Sequence, residues 1–219
     1  MTALVIVAAG SGQRLGAGIP KALVSVAGDS LLGHCLRTAA AVTRLSQTVV
    51  VAPADRATDV RTSIAGRYPT VTVVPGAATR DASVRAGLAT VADTRVLIHD
   101  AARPFAPAEV FDRVLDALEQ GAEAVVPALA VSDTIKQVHA GFVTKTLVRE
   151  ELMAVQTPQG FLVEELLQAH AARSGDVTDD AMLLEQAGVP VQVVAGSHHG
   201  FKITTGFDLR LAEAMHGRP

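Results

Sequence analysis

Tryptophan is missing from this chain and aromatic residues of any kind make up only 3% of it, so a core must be built from Ala, Val, Leu and Ile. Such small aliphatic side chains suit helices packed closely on a parallel sheet. Cysteine is nearly absent too. Cys35 stands alone, which excludes a disulfide framework and a thiolate metal cluster and fits a reducing cytoplasm. Nor is there an excess of positive charge, since 19 basic and 22 acidic side chains leave a net charge of −3. Nucleic acid and anionic membrane need a broad positive field, so neither is expected as a partner, and any anion must be gripped by a few focused cations. Long hydrophobic runs are also lacking. The apolar stretch 3–9 is short and follows no basic segment, so it reads as a first buried strand and not as a signal peptide or membrane span.

What the chain does have is 219 residues, 49% of them apolar, enough for one generous α/β domain spanning 1–219. Short β-rich runs at 4–8, 48–52, 71–74, 95–99, 124–128 and 190–194 alternate with helical stretches at 31–42, 57–66, 81–91, 107–120, 163–172, 179–186 and 207–216. Ser30, Pro107 and Thr178-Asp179-Asp180 supply helix start signals. The strands are continuously apolar, which implies a sheet covered on both faces, and strand–helix alternation predicts a doubly wound, mostly parallel, Rossmann-like α/β sheet. Residues 131–154 break the rhythm: Asp133-Thr134-Ile135-Lys136, an Ala140-Gly141 turn and a partly alternating 142–148 predict a protruding β-hairpin. Two readings of it stand, an ordinary surface hairpin or an arm that packs on a second subunit, since an isolated two-stranded arm is marginal alone.

The clearest chemical signal follows the first strand: Ala8-Ala9-Gly10-Ser11-Gly12-Gln13-Arg14-Leu15-Gly16. Ligands of open α/β sheets bind beyond the carboxyl ends of the strands, where Gly10 and Gly12 let backbone N–H groups approach an anion and small Ala8 and Ala9 leave room for a base. The glycine spacing fits neither common nucleotide motif. A dinucleotide fingerprint needs its third glycine one residue earlier than Gly16, and a P-loop needs Gly-Lys-Ser/Thr where Lys21 instead follows Pro20. There remain two cations beside a glycine loop, Arg14 and Lys21, a rigid fork and a point charge suited to a polyphosphate. Solvated surface cations are the plain alternative, and the strand-end position favours phosphate binding.

Weaker constellations lie further on. His99-Asp100-Ala101-Ala102-Arg103-Pro104 follows another buried strand, where Asp100 can bind a divalent cation or sugar hydroxyls, or only cap a turn. Gly76-Ala77-Ala78-Thr79-Arg80-Asp81-Ala82-Ser83 opens a helix, and Arg80 either serves a phosphate or pairs with Asp81. Thr157-Pro158-Gln159-Gly160 and Phe201-Lys202-Ile203-Thr204 set polar groups at element boundaries. Lys202, between apolar neighbours in a probable strand, points into a cleft or lies on a half-wet edge. Adjacent His198 and His199 face opposite ways on an extended chain, with no carboxylate or cysteine spacing to complete a zinc site.

Taken in their joint order, these residues resemble the 2-C-methyl-D-erythritol 4-phosphate cytidylyltransferases of the non-mevalonate isoprenoid pathway. The similarity runs nearly end to end and includes Arg149, Asp133-Thr134-Ile135-Lys136, Thr178-Asp179-Asp180-Ala181 and Lys202-Ile203-Thr204 beside the glycine loop. It implies a Mg²⁺-dependent transfer from CTP to a polyol phosphate. Arg14 and Lys21 would stabilise charge on the α-phosphate, and Arg149 and Lys202 would hold the acceptor phosphate. Thr134 and Asp100 would help to bind the acceptor, with Arg103 and Thr157 placed beside them and Asp100 also a candidate metal ligand. Ala8, Ala9, Gly10, Gly12, Ala77, Arg80 and Ser83 would surround the nucleotide. The family's homodimers form through the excursion at 131–154, which would lend Thr134 and Arg149 to the neighbouring site. Val7 stands where the family often has Pro, Ala77 where a second Gly is usual, and His198-His199 where an acidic residue is common. A ribitol-5-phosphate cytidylyltransferase and a non-catalytic nucleotide-binding homologue are the competing expectations. The expected chemistry joins two anions with an already ionised nucleophile, so alignment and positive charge should carry it without a general base.

Overall fold

A computed structural model describes residues 1–10, 19–172 and 179–217 of the protein. Its first strand, β1 (Thr2–Val7), is buried along nearly its whole length because both faces are covered. Leu4 and Ile6 pack under helices α1 (Leu31–Ala41), α2 (Ala57–Ala65) and α4 (Ala108–Glu119), while Ala3 and Val5 face α3 (Arg80–Leu88), α5 (Val163–Ala172) and α6 (Asp180–Gln186). The period of two along the strand therefore feeds two separate aliphatic cores, one on each side of the sheet. Full burial of one such Leu, Val or Ile side chain contributes roughly 1.5–3 kcal/mol.

β1 pairs in parallel with β4 (Leu45–Ala52) on one side and β6 (Arg95–Asp100) on the other, and β4 pairs in parallel with β5 (Thr72–Pro75). The chain thus runs outward from β1 in one direction and returns to its other edge, which makes β1/β6 the switch point of the sheet. Beyond β6 the sheet is mixed. β10 (Met153–Val155) and β11 (Gln159–Leu162) run antiparallel along β7 (Ala124–Ala130), with β11 wedged between β7 and β6, while β12 (Val191–Ala195) pairs with β7 in parallel. The doubly wound, mostly parallel sheet expected from the sequence is present. The segments β10 and β11 were not expected, because a short run holding Gln159 and Gly160 has neither alternation nor a continuous apolar pattern.

Two small additions lie outside the main sheet. A hairpin of β2 (Ser25–Val26) and β3 (Asp29–Ser30) packs with the C-terminal helix α7 (Gly206–His216) around a third cluster containing Val24, Val26, Leu31, Ile203 and Ala212. The predicted excursion is a second hairpin, β8 (Lys136–His139) with β9 (Phe142–Thr146), turned by Ala140 and Gly141, both at positive φ. That is the backbone twist a two-residue turn needs. Every residue of both strands is exposed, including Val138, Phe142 and Val143.

The helix starts follow their caps. Ser30 accepts from Gly33 N–H, Thr79 from Ala82 N–H, Asp179 from Met182 N–H, and Thr205 forms a reciprocal capping box with Asp208. The expected strand through Lys202 is absent. Ile203 N–H donates to Ala102 O, but the Ile203 side chain is drawn into the α7 cluster, which leaves 201–204 extended and outside the sheet.

Candidate active site

A cavity of about 470 Å³ opens at the carboxyl ends of β1, β5 and β6, around the switch point. The segment after β1 supplies Ala8, Ala9 and Gly10, and the single helical turn Lys21–Leu23 supplies Lys21. Ala77 and the first turn of α3, with Arg80 and Ser83, form a second wall, while Asp100 and Lys202 close the third. These sequence-selected residues come from separate stretches of chain, and the sheet topology brings them together. Gly12 and Arg14 lie outside the described residues.

The wall after β5 is shaped by Ser83, which is 1% exposed. Its hydroxyl accepts from Ala77 N–H at 3.0 Å and donates to Thr79 O at 2.9 Å, fastening the loop to the helix it precedes. Gly76 leaves no room for a side chain there, since a Cβ would sit 2.7 Å from Ala9 Cβ and 3.0 Å from Ala52 O. The loop and the glycine segment after β1 consequently approach in close contact.

Asp100 forms the electrostatic centre. Lys202 Nζ donates to its Oδ2 at 2.7 Å, and Arg80 reaches its Oδ1 at 3.5 Å. Burial alone would push this carboxyl up, but the charges of Arg80 and Lys202, the Lys202 hydrogen bond and the nearby Arg103 hold it down at about 2. Asp100 is therefore ionised at neutral pH. Behind it runs a hydrogen-bonded chain whose proton positions follow from the donors. Asp100 N–H donates to Thr157 Oγ1 at 3.1 Å, so the Thr157 hydroxyl proton goes to His99 Nδ1 at 2.9 Å. That leaves the imidazole proton on Nε2, facing Arg103 O at 3.2 Å. Burial pushes His99 down to about 4, so the ring is neutral and acts as a spacer for Asp100.

Thr157 and Arg103 thus lie behind the cavity and not on its wall. Arg103 donates to Gly200 O at 2.8 Å and Val155 O at 3.2 Å, tying the segment before Lys202 to β10. Thr134 and Arg149 sit elsewhere again. Both are exposed at the base of the hairpin, where Arg149 donates to Ser132 O at 3.1 Å, and within the chain neither lines the cavity.

Arg80 does not pair with Asp81, the partner its sequence neighbourhood offered. It pairs with Asp180 at 2.8 Å, and Asp81 pairs with Arg85 and with His170 Nδ1 at 2.7 Å. Asp180 and His170 are functional neighbours that sequence reasoning missed. The signal for Asp180 lay in Thr178-Asp179-Asp180, read as a helix start and as part of the family resemblance, and nothing in the sequence pointed to His170. Asp179 does cap α6, while the next residue turns inward to the guanidinium.

For a divalent cation the only wall carboxylate among the expected residues is Asp100, and among the described residues no group of three or more His, Cys, Asp or Glu could hold a metal. One ionised carboxylate on the wall of this cavity fits a hard cation carried largely by substrate oxygens.

The sequence model of the 2-C-methyl-D-erythritol 4-phosphate cytidylyltransferase family (IspD) matches residues 2–218. The curated protein of that name from Saccharopolyspora erythraea is 51% identical over 96% of this chain and 97% of its own length. The Streptomyces coelicolor protein of the same name is 47% identical over 99% of this chain and 85% of its own. Among solved structures, the 4-diphosphocytidyl-2C-methyl-D-erythritol synthase of Anaerococcus prevotii superposes with a TM-score of 0.86 at 31% identity over 98% of this chain and 97% of its own. The Thermus thermophilus 2-C-methyl-D-erythritol 4-phosphate cytidylyltransferase does so with a TM-score of 0.78 at 35% identity, covering 99% of both chains.

Proposed function

The chain belongs to the 2-C-methyl-D-erythritol 4-phosphate cytidylyltransferase family, and from that premise we propose how its own residues carry the reaction. The activity is transfer of a cytidylyl group from CTP to 2-C-methyl-D-erythritol 4-phosphate, giving the CDP-linked polyol and pyrophosphate in isoprenoid precursor synthesis. A phosphate oxygen of the acceptor forms a bond to the α-phosphorus of CTP. The α–β anhydride bond breaks, and pyrophosphate leaves with its electron pair.

Both reactants are anions, so the barrier is repulsion and misalignment. The observation that carries the assignment is the convergence of Lys21, Arg80 and Lys202 on one cavity, walled by the glycine segment and held by the ionised Asp100. Lys21, with Arg14, stabilises charge growing on the α-phosphate. Lys202 holds the acceptor phosphate, and Asp100 orients the acceptor's hydroxyls. Such preorganised charge in a partly dry site is typically the largest source of rate enhancement for chemistry of this kind. Ser83 and Gly76 shape the wall against which the nucleotide lies. Asp100 would hold Mg²⁺ together with the triphosphate oxygens, an ion that neutralises charge on those oxygens when bound.

The exposed hairpin completes the proposal. Val138, Phe142 and Val143 present apolar surface on an arm that nothing among the described residues covers, and Thr134 and Arg149 lie at its base, away from the cavity. Two arms embracing in a homodimer bury that surface and carry Thr134 and Arg149 into the partner's acceptor site. No helix among the described residues is long and apolar enough to cross a membrane. With one buried free cysteine and near-balanced charge, a cytoplasmic location is part of the proposal.

The test is pyrophosphate release from protein, Mg²⁺ and CTP with methylerythritol phosphate, run beside ribitol 5-phosphate and a panel of nucleoside triphosphates. Release confined to CTP with methylerythritol phosphate supports the assignment. Preference for the ribitol ester, or CTP binding with no turnover, refutes it.

A further inference from the structure

Arg80 occupies an unfavourable place for a cation. It is the first residue of α3, where the helix dipole presents its positive end. Two carboxylates offset that position: Asp100 from β6 at 3.5 Å and Asp180 from α6 at 2.8 Å. The two are not alike. Asp100 borders the cavity, whereas the Asp180 side chain is 2% exposed and out of any ligand's reach. Its Oδ2 faces Arg80, and its Oδ1 faces His170 Nε2 at 3.7 Å. The His170 ring, itself 1% exposed, is held from behind by Asp81 through Nδ1 at 2.7 Å. A buried row Asp81, His170, Asp180 and Arg80 therefore ends at the cavity wall, with His170 and Asp180 in proximity but not hydrogen-bonded.

The acceptor reading gives that row a purpose. Lys202 now has Asp100 for a partner, and binding an acceptor phosphate draws the ammonium away from it. Asp100 would then rely mainly on Arg80, 3.5 Å away, and losing that contact as well would leave a buried anion poorly compensated, which is strongly unfavourable. We propose that Asp180, backed by His170, is a positioning residue that pins the Arg80 guanidinium against Asp100, so that Lys202 can be lent to the acceptor phosphate. The inference rests on the assignment of Lys202 to that phosphate. Without the pin, Arg80 swings into solvent, Asp100 retains Lys202 more tightly, and acceptor binding weakens.

The test uses Asp180→Asn, Arg80→Ala and the double variant in the full chain. Asn keeps the shape of Asp180 and removes its charge, and melting temperatures check that the fold stands. Misplacement of a charged group by about 1 Å can cost as much as a hundredfold. Asp180→Asn is accordingly expected to raise KM for the polyol phosphate by about tenfold, and, because Arg80 also borders the nucleotide wall, to raise KM for CTP by a clearly smaller factor. The double variant should be no worse than Arg80→Ala, because Asp180 acts only through Arg80. Equal changes in both KM values, or losses that multiply in the double variant, overturn the proposal. A second readout needs no turnover: in ¹⁵N-arginine-labelled protein the Arg80 Nη groups should rotate slowly, and in Asp180→Asn they should average. If the unaltered protein makes no product, the functional assignment fails, while averaging of Arg80 on loss of Asp180 still decides whether the pin exists. Arg80 signals that are unchanged in Asp180→Asn refute it in either case.

Discussion

Replacing Asp100 by Asn removes the charge at the centre of the cavity and has a calculable pH signature. The carboxyl is held at about 2 against an ordinary 3.8, chiefly because Arg80 and Lys202 overcome its burial. At about 1.4 kcal/mol per pH unit, that depression contributes about 2 kcal/mol to stability at neutral pH. The folded group releases its proton more readily than the unfolded one. Its contribution is therefore full above the unfolded value and declines as pH falls towards about 2. The linkage relation leaves roughly half of it at pH ~3. Asn has no proton to release, so the stability gap between wild type and Asp100→Asn should narrow by about 1 kcal/mol between about pH 7 and about pH 3. Urea unfolding at the two pH values measures it. A gap that stays constant, or widens in acid, refutes the assignment of Asp100 as a pre-paired ionised carboxylate. The same variant should also lose turnover by more than about tenfold, since the acceptor loses its anchor.

Three further outcomes follow from the proposed roles and the described geometry. Lys21→Ala and Arg14→Ala should each lower turnover by two to three decades, about 3–4 kcal/mol, with an unchanged melting temperature; near-normal turnover in either contradicts its role at the α-phosphate. Gly76→Ala sets a Cβ 2.7 Å from Ala9 Cβ, so it should destabilise the protein by about 1–3 kcal/mol and weaken CTP binding, which thermal melts and nucleotide titration would report. Val138→Asp with Phe142→Asp on the exposed hairpin should give monomers in sedimentation and abolish turnover. A variant that stays dimeric, or stays active as a monomer, removes the arm from the proposal.

How much of the fold is legible in the sequence depends on the range of the interaction. The strands β1, β4 and β6 announce themselves as continuous apolar runs because both faces are covered, and the glycine segment marks the end of β1. The segment β11 does not, because its fit is made by absences. Gly160 is required where Val114 and Leu118 press on the strand, and the buried Gln159 amide donates from Nε2 to Asp179, twenty residues away. Hydrophobic patterning registers neither. The strand expected at Lys202 fails for a related reason. Phe201 and Ile203 are apolar, but the surface that covers them is α7 and not the sheet, and periodicity cannot name the covering element.

The site shows the same division more sharply. Local features such as the Ser30 cap, the Ala140-Gly141 turn and the small residues after β1 can be read in place. Charge pairing cannot. The nearest acid to Arg80 in sequence is Asp81, yet its partners are Asp100 and Asp180, twenty and a hundred residues on. The reason is energetic. A binding site for two anions needs several cations close together, and such a cluster buried without compensation would oppose folding. This chain answers with carboxylates from distant elements, Asp100 for Lys202 and Asp180 for Arg80. The cations are thereby placed in advance, and on the proposed roles a substrate phosphate would replace Asp100 as the partner of Lys202 instead of drawing a free side chain out of water. Affinity then depends on the difference between two ion pairs, so a change at a residue that touches no substrate can reset it.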